Sequence, residues 1–482
     1  MRASIRYVAR ALDPRRSMHL RRLIFALLPI VALGGCMLGP DYKRPQIELP
    51  EGYPEPGVST TEASVRADWW RLYGDPQLDA LIDSGVQKNT DIKIAIARME
   101  EAEALVREAN ATLLPEIDVN ASGGRSRAST RTGTLPPSVA VIRNNFLISA
   151  NTSFELDFWG RLRRGRQAAV AQYESTVYGR DAVRLTLEAS IAQSYFTLRA
   201  LDAQIIVSGD TLKAAEDSLE IARARAQAGV SSELDVNQAD ANRAQVAAQI
   251  KELRRLRAVA AHQIGVLTGV LSLDIPPADL WQLPVPPLPP AGLPSTLLER
   301  RPDMRQAEAT LVSANAQIGV ARAAQFPTFS LTGALGAQSR DLSNLTSSGA
   351  TIWSFALGLV GPILDWGRYE ARTQQAEARA RQAAATYEKT AQTAFREVAD
   401  ALSNVRLASE TEHDLRERVE RADNTLRLAT QRYRAGYSAY LEVLDAQRTL
   451  NDAQLALARN RQTYLTYTVD LMSALGGGWP SF

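Results

Sequence analysis

The chain contains one structural unit written twice. Asn89-Thr90-Asp91 opens a helix-forming stretch that reaches Leu113-Leu114-Pro115, and 212 residues later Arg301-Pro302-Asp303 opens another that reaches Gln325-Phe326-Pro327. Two runs of alternating character follow each proline. They end in Leu156-Asp157-Phe158-Trp159-Gly160-Arg161 and in Leu364-Asp365-Trp366-Gly367-Arg368, now 207 residues apart, so the second pair of runs is five residues shorter. Ala228-Gly229 and Ala435-Gly436 keep the spacing of 207. A register that survives the long segment between these marks is a duplication and not shared composition. Any fold for this chain has to use the same strand–helix unit two times.

The alternating runs have the period of strands. Phe146, Ile148, Ala150, Phe154, Leu156 and Phe158 line one side, with Thr152 the only hydroxyl, and Ser149, Asn151, Ser153, Glu155 and Asp157 line the other. Ile117, Val119 and Ala121 alternate with Asp118, Asn120 and Ser122, and Phe329, Leu331 and Leu335 with Ser330, Thr332 and Ala334. Trp353, Phe355, Leu357, Leu359 and Ile363 share one face of the last strand. One apolar and one polar face suit a soluble sandwich, or a barrel with lipid outside and water inside. A sandwich needs more strands than this repeat supplies. Four strands cannot close a barrel alone, and bare edges are not tolerated in lipid, so the pattern implies association of several chains.

The segments after Arg161 and Arg368 hold no proline until Pro276 and Pro480. In the first, Val183, Leu187, Ile191, Tyr195, Leu198, Leu201, Ile205, Leu212, Ala215, Leu219, Ala222 and Ala226 recur near the helical period. Val398, Leu402, Val405, Val419, Leu426 and Tyr433 repeat the stripe in the second copy, slipping near Glu412. Some 65 residues of helix span roughly 100 Å. The prolines from Pro276 to Pro294 mark a connector between copies.

Composition weighs against chemistry. The formal charge of +2 over 482 residues gives no field for nucleic acid. Three histidines and a single cysteine exclude an internal disulfide or a cysteine-clustered zinc site, and leave few general bases. Glu51, Glu55, Glu62 and Asp68 offer carboxylates but no partner base or metal cluster. No cofactor is called for.

That cysteine, Cys36, stands at the end of a leader. Arg21 and Arg22 precede an apolar run, Leu23 to Leu33, broken only by Pro29 and followed by Gly34-Gly35-Cys36. The run is too short to cross a membrane and has the dimensions of a signal peptide. An ordinary secretory signal with an incidental cysteine is the simpler alternative. The sequence resembles the bacterial lipobox, which implies lipid on the Cys36 thiol and, with Met37 and not Asp next, sorting to the outer membrane. Met18 is a natural start for such a signal.

On these marks the chain resembles the TolC/NodT family of trimeric outer-membrane efflux channels, in its lipoprotein branch. The marks are Cys36-Met37-Leu38-Gly39-Pro40-Asp41-Tyr42 with Pro45, Trp69-Trp70, Tyr73, Asp75-Pro76, Leu78, Arg301-Pro302-Asp303, Gln306-Ala307-Glu308, Ala314-Asn315-Ala316 and Pro327. The resemblance implies a mainly α chain with a membrane β-barrel portion. Each protomer of a homotrimer gives four strands to a twelve-stranded barrel and long helices to a periplasmic α-helical barrel. The segments are then a signal at 1–35, an N-terminal belt at 36–88, the first copy at 89–270, a belt connector at 271–300, the second copy at 301–475 and a tail at 476–482. Implied partners are a periplasmic adaptor, an inner-membrane pump of the proton-driven RND type and outer-membrane lipid, with no nucleic acid. The implied function is a passive, gated exit duct for drugs or other small molecules. The alternatives are the outer-membrane channel of a type I protein-secretion system, or a periplasmic structural lipoprotein without a pore.

Site residues follow from the same resemblance. Gly229 and Ser232, with Gly436 and Ser438, sit at the hairpin tips where the adaptor docks; chemically, such glycines end one helix and such serines cap the next. Asp235 and Tyr433 match a pair that latches the coils by hydrogen bonding. Leu441, Glu442 and Asp445 match positions that constrict the entrance, with Arg448 a partner for Asp445. A solvated helix face accounts for the same charges without a gate.

Overall fold

The computed structural model describes residues 37–50, 53, 67–131, 140–286 and 300–477. Cys36, and with it the lipidation expectation, lies outside them, as do Glu51, Glu55 and Glu62. In chain order come α1 (Pro76–Lys88), α2 (Thr90–Ala111), β1 (Glu116–Arg127), β2 (Ile142–Leu156), α3 (Arg161–Gln227) and α4 (Glu233–Thr268). The second copy adds α5 (Pro302–Ala323), β3 (Thr328–Ser339), β4 (Thr351–Val360), α6 (Arg368–Arg434) and α7 (Tyr440–Ala474). The helices α3 and α6 are each 67 residues long, and among the described residues no helix is long and apolar enough to cross a membrane.

The duplication extends to single hydrogen bonds. Asn89 caps α2 by accepting from the Asp91 and Ile92 amides, and its side-chain amide donates to the Leu267 carbonyl at 2.9 Å. In the second copy the same position is Arg301, and it donates to the Ala474 carbonyl, the equivalent of Leu267, also at 2.9 Å. The return helix α4 is capped by Gly269, and Gly476 follows the Leu475 cap of α7; both glycines have positive φ, where glycine escapes the Cβ clash.

The four strands form one antiparallel sheet in the order β1-β2-β3-β4. Its register carries the apolar face across every strand. Val119 pairs with Ala150, Ala150 with Leu335 and Leu335 with Trp353, while Asp118, Asn151, Ala334 and Ser354 line up on the opposite face. The apolar face is open: Val119 is 75% and Trp353 77% exposed. Both edges, β1 and β4, are bare among the described residues. The last strand is shorter than its alternation suggested. β4 stops at Val360, and Ile363 stands fully exposed in the connector. Gly361-Pro362 is the cause, because proline has no N–H for the ladder.

The chain divides into two compact units that cut across the copies. One takes the residues through Lys43, Ala104–Ala171 and Val312–Gln382, including the sheet; the other takes Arg44–Glu103, Gln172–Leu311 and Ala383 onward. Each copy contributes to both. In the second unit the helical stripe buries Leu187, Ile191, Tyr195 and Leu198 as its period requires. Around them the burial is wider than a stripe, since Phe196, Arg199, Asp202 and Ala203 are covered too. Trp69, Tyr73, Leu78 and Ile82 from the N-terminal segment, and Ile275, Leu280 and Leu283 from the connector, join this core.

A buried polar network fastens that wrapping. Arg199 is 1% exposed and donates to Asp202 (3.1 Å), the Pro276 carbonyl (2.7 Å), Gln77 (2.8 Å) and Tyr195 (2.8 Å). The Tyr195 hydroxyl in turn donates to Asp75, and Arg257 bonds Asp202 and the Ile275 carbonyl. The slip of the second stripe has a similar origin. Glu412 is buried there and held by Arg416 and Arg461.

Candidate functional site

The two hairpin tips share one small core. Leu219 and Ala222 of α3, Ala239 of α4, Ala429 and Tyr433 of α6, and Tyr440, Val443 and Leu444 of α7 pack together. Each tip is built by the same backbone device. The Val230 amide donates to the Arg225 carbonyl and the Gly229 amide to Ala226, while Tyr437 donates to Arg432 and Gly436 to Tyr433. Gly229 and Gly436 both have positive φ, at 73° and 83°. This paired pattern closes the last carbonyls of a helix and needs a left-handed residue at the turn.

The serines differ. Ser232 caps α4, its hydroxyl accepting from the Leu234 amide at 3.1 Å. Ser438 does not cap α7, whose N-cap is Ala439 and lacks a side-chain bond. The reason is register: at a spacing of 207, Ser232 corresponds to Ala439 and Ser438 to Ser231. Ser231 and Ser438 both bury a hydroxyl with no hydrogen bond.

Asp235 and Tyr433 are brought into one neighbourhood but not bonded. The Tyr433 hydroxyl is buried without a hydrogen-bond partner. Tyr433 is held by its face and backbone instead. The Arg225 guanidinium lies over the ring, 4.8 Å from its centroid, and donates to the Tyr433 carbonyl at 2.9 Å. The Tyr440 ring packs edge to face with the Tyr433 ring, centroids 5.5 Å apart. Burial, and after it the Asp235 charge, raise the Tyr433 phenol, with Arg225 opposing. Burial pushes Tyr440 up to about 12, with Tyr433 and Asp235 acting the same way and Arg448 opposing.

Leu441, Glu442, Asp445 and Arg448 all fall on the exposed face of α7, as their three- and four-residue spacing requires. The Asp445–Arg448 pair does not form among the described residues, and Arg448 acts on Tyr440. Glu442 faces Arg432 across the turn at 3.8 Å, both more than half exposed, a contact worth little in water. Behind this face lies a buried polar ladder absent from the sequence reading. Gln447 donates to Ser218 at 2.8 Å and receives from Asn242 at 3.4 Å, tying α7 to α3 and α4. Arg225 and Tyr440 were also missed; their only sequence signal is nearness to the tip glycines. Asp68, the one described candidate carboxylate of the N-terminal segment, faces Arg71 at 3.9 Å. No cluster of metal-ligating side chains occurs among the described residues.

Comparison with known proteins places these features. Residues 81–270 and 293–477 match the outer membrane efflux protein family, in two blocks that follow the two copies. The probable efflux pump outer membrane protein TtgC of Pseudomonas putida is 36% identical over 457 residues, 93% of each chain. Among solved structures, the outer-membrane channel OprN superposes with a TM-score of 0.85 at 30% identity, covering 92% of this chain and all of that one. The open state of the Neisseria gonorrhoeae MtrE outer membrane channel gives 0.82 at 31% identity, over 92% of this chain and 98% of that one.

Proposed function

The chain belongs to the outer membrane efflux protein family, and from that premise we propose how this channel is assembled, anchored and gated. It is the outer-membrane channel component of a tripartite efflux system. It works as a passive duct, with a periplasmic adaptor at the hairpin tips and an RND-type pump in the inner membrane supplying the energy. Three copies close the barrel, each giving four strands to a ring of twelve. The observation that carries this reading is the sheet, one continuous apolar face with two bare edges. Such a sheet is untenable in lipid unless its edges meet others.

Lipid on Cys36 adds an anchor. Cys36→Ser should abolish lipid labelling and processing at that position; undiminished labelling in the variant rules the anchor out.

The gate is proposed at the tips. Tyr433, held between Arg225 and Tyr440, restrains the closed entrance by packing, with Asp235 acting through its charge. Glu442 and Asp445, three residues apart on one face, bring six carboxylates towards the axis of a trimer, and acidic rings are how cation-preferring pores are built. Conductance in a planar bilayer tests the reading. The protein should form pores that a trivalent cation blocks from the periplasmic side. Glu442→Ala with Asp445→Ala should weaken that block. No pores would sink the channel, and an undiminished block would place the ring elsewhere.

A further inference from the structure

The internal repeat makes one contact inside the chain and leaves its twin unmade. At the end of β2, Trp159 lies against Phe326, ring centroids 4.8 Å apart, and its indole N–H donates to the Pro327 carbonyl at 2.8 Å. Phe326-Pro327 is the corner where α5 turns into β3. The same corner in the first copy is Leu114-Pro115, where α2 turns into β1, 212 residues earlier. Among the described residues nothing covers it: Leu114 is 67% exposed and Pro115 is exposed as well. The counterpart of Trp159 is Trp366, 207 residues on, and it is 88% exposed. Trp366 is also the one non-glycine residue with positive φ, 55°, among the described residues. A bulky side chain rarely takes that conformation unless its surroundings impose it. Among the described residues nothing packs on the ring to do so.

The positions of the two orphans decide what joins them. β2 and β3 are neighbours, so Trp159 reaches the Phe326 corner in cis. Trp366 follows β4 and Leu114 precedes β1, the two free edges at opposite ends of the sheet. One chain cannot bring them together; the next chain in a closed ring can. We propose that Trp366 of each protomer covers the Leu114-Pro115 corner of the neighbouring protomer. The indole N–H then donates to the Pro115 carbonyl, repeating between chains the contact Trp159 makes within one. This rests on the trimer reading above and adds the residues that lock one chain to the next. The apolar faces of Trp366 and Leu114 are matched in kind to those of Trp159 and Phe326 in the cis contact. A single aromatic at the water–lipid boundary, buried in headgroups, is the competing occupant.

Cross-linking tests it on the full-length chain in its own membrane. Leu114→Cys with Trp366→Cys, treated with a short bis-thiol-reactive linker, should convert monomer into covalent dimer and trimer on a denaturing gel. Each single variant should stay monomeric. Phe326→Cys with Trp159→Cys, the cis pair, should link within one chain and serves as the reactivity control. Native electrophoresis of the same samples reports the trimer separately. Trimers without a 114–366 link, while the cis pair reacts, overturn the contact and leave the trimer standing. Absence of trimers from native gels overturns both. Trp366→Ala should lower the temperature at which the trimer dissociates in detergent and Trp366→Phe should restore part of the loss; no shift in either variant counts against the contact.

Discussion

Arg199 and Arg406 occupy the same position in the two 67-residue helices, 207 residues apart. Arg199 is 1% exposed and ties the N-terminal segment and the connector to α3. Arg406 is half-buried and meets Glu410 one turn on, at 3.1 Å and with both side chains substantially exposed. One helix position thus serves as a buried fastener in the first copy and as a solvated helix pair in the second. Duplication supplied the register; the segments outside the copies decided what the residue does. Covering a helix on more sides turns ordinary charged residues into obligatory ones, because a buried guanidinium is costly unless its charge is paired.

The strongest way to break this contrast is to delete both arginines. Arg199→Ala should cost about 3–5 kcal/mol, since it leaves buried Asp202 to Arg257 alone and strands the Pro276 and Gln77 carbonyls. Arg406→Ala should cost about 0.5 kcal/mol or less, the range of an exposed pair one turn apart. Hydrogen exchange across α3 and α6 measures both, and equal losses would mean that burial does not set the difference.

A smaller gap is expected at the starts of the copies. Arg301→Ala should cost about 2–3 kcal/mol through its charged bonds to Ala474, Asp303 and Glu397. Asn89→Ala should cost about 1 kcal/mol, the scale of a lost helix cap. Chemical denaturation of the two variants side by side gives the order; the reverse order would mean that the arginine cluster is strain and not support.

At the tips the contrast is a single bond. Ser232→Ala should raise exchange of the Leu234 amide and cost about 1 kcal/mol locally. Ser438→Ala should change little, and Ala439→Ser should bring the second tip level with the first. Loss of protection in Ser438→Ala would show that α7 is capped differently in the assembled channel.

The smallest effect belongs to Tyr433→Phe. Its hydroxyl has no hydrogen bond to lose, so the stability of the tip should move by less than about 0.5 kcal/mol. Ionisation is a separate matter. The Tyr440 phenol titrates near 12 when folded and near 10 in a free chain. Its contribution is therefore intact below pH 10 and lost between pH 10 and 12, as the unfolded state ionises first. Faster exchange at the tips across that window, reduced in Tyr440→Phe, would confirm the sign.

Much of the fold was legible because punctuation and period survive duplication. Gly229 and Gly436 mark helix ends by a conformation other residues avoid, and Val119, Ala150, Leu335 and Trp353 share a face because alternation fixes it. Other features were not legible, since their partners lie far apart in sequence. Arg199 meets Gln77 and Pro276 only after folding, and nothing in its own helix announces that. Ser438 failed as a cap for a local reason, one residue of register. Ile363 failed as a strand residue because a proline outranks an apolar pattern.

At the tips, Tyr433, Tyr440, Ser231 and Ser438 hold buried hydroxyls with no hydrogen-bond partner among the described residues. Ring meets ring there, and a guanidinium lies over one of them. Directional bonds behave like bolts: they hold at one geometry and release abruptly when it is lost. Rings packed edge to face, as these are, trade one set of dispersion contacts for another as they slide. A joint held this way yields by degrees, where one held by bonds alone lets go at once.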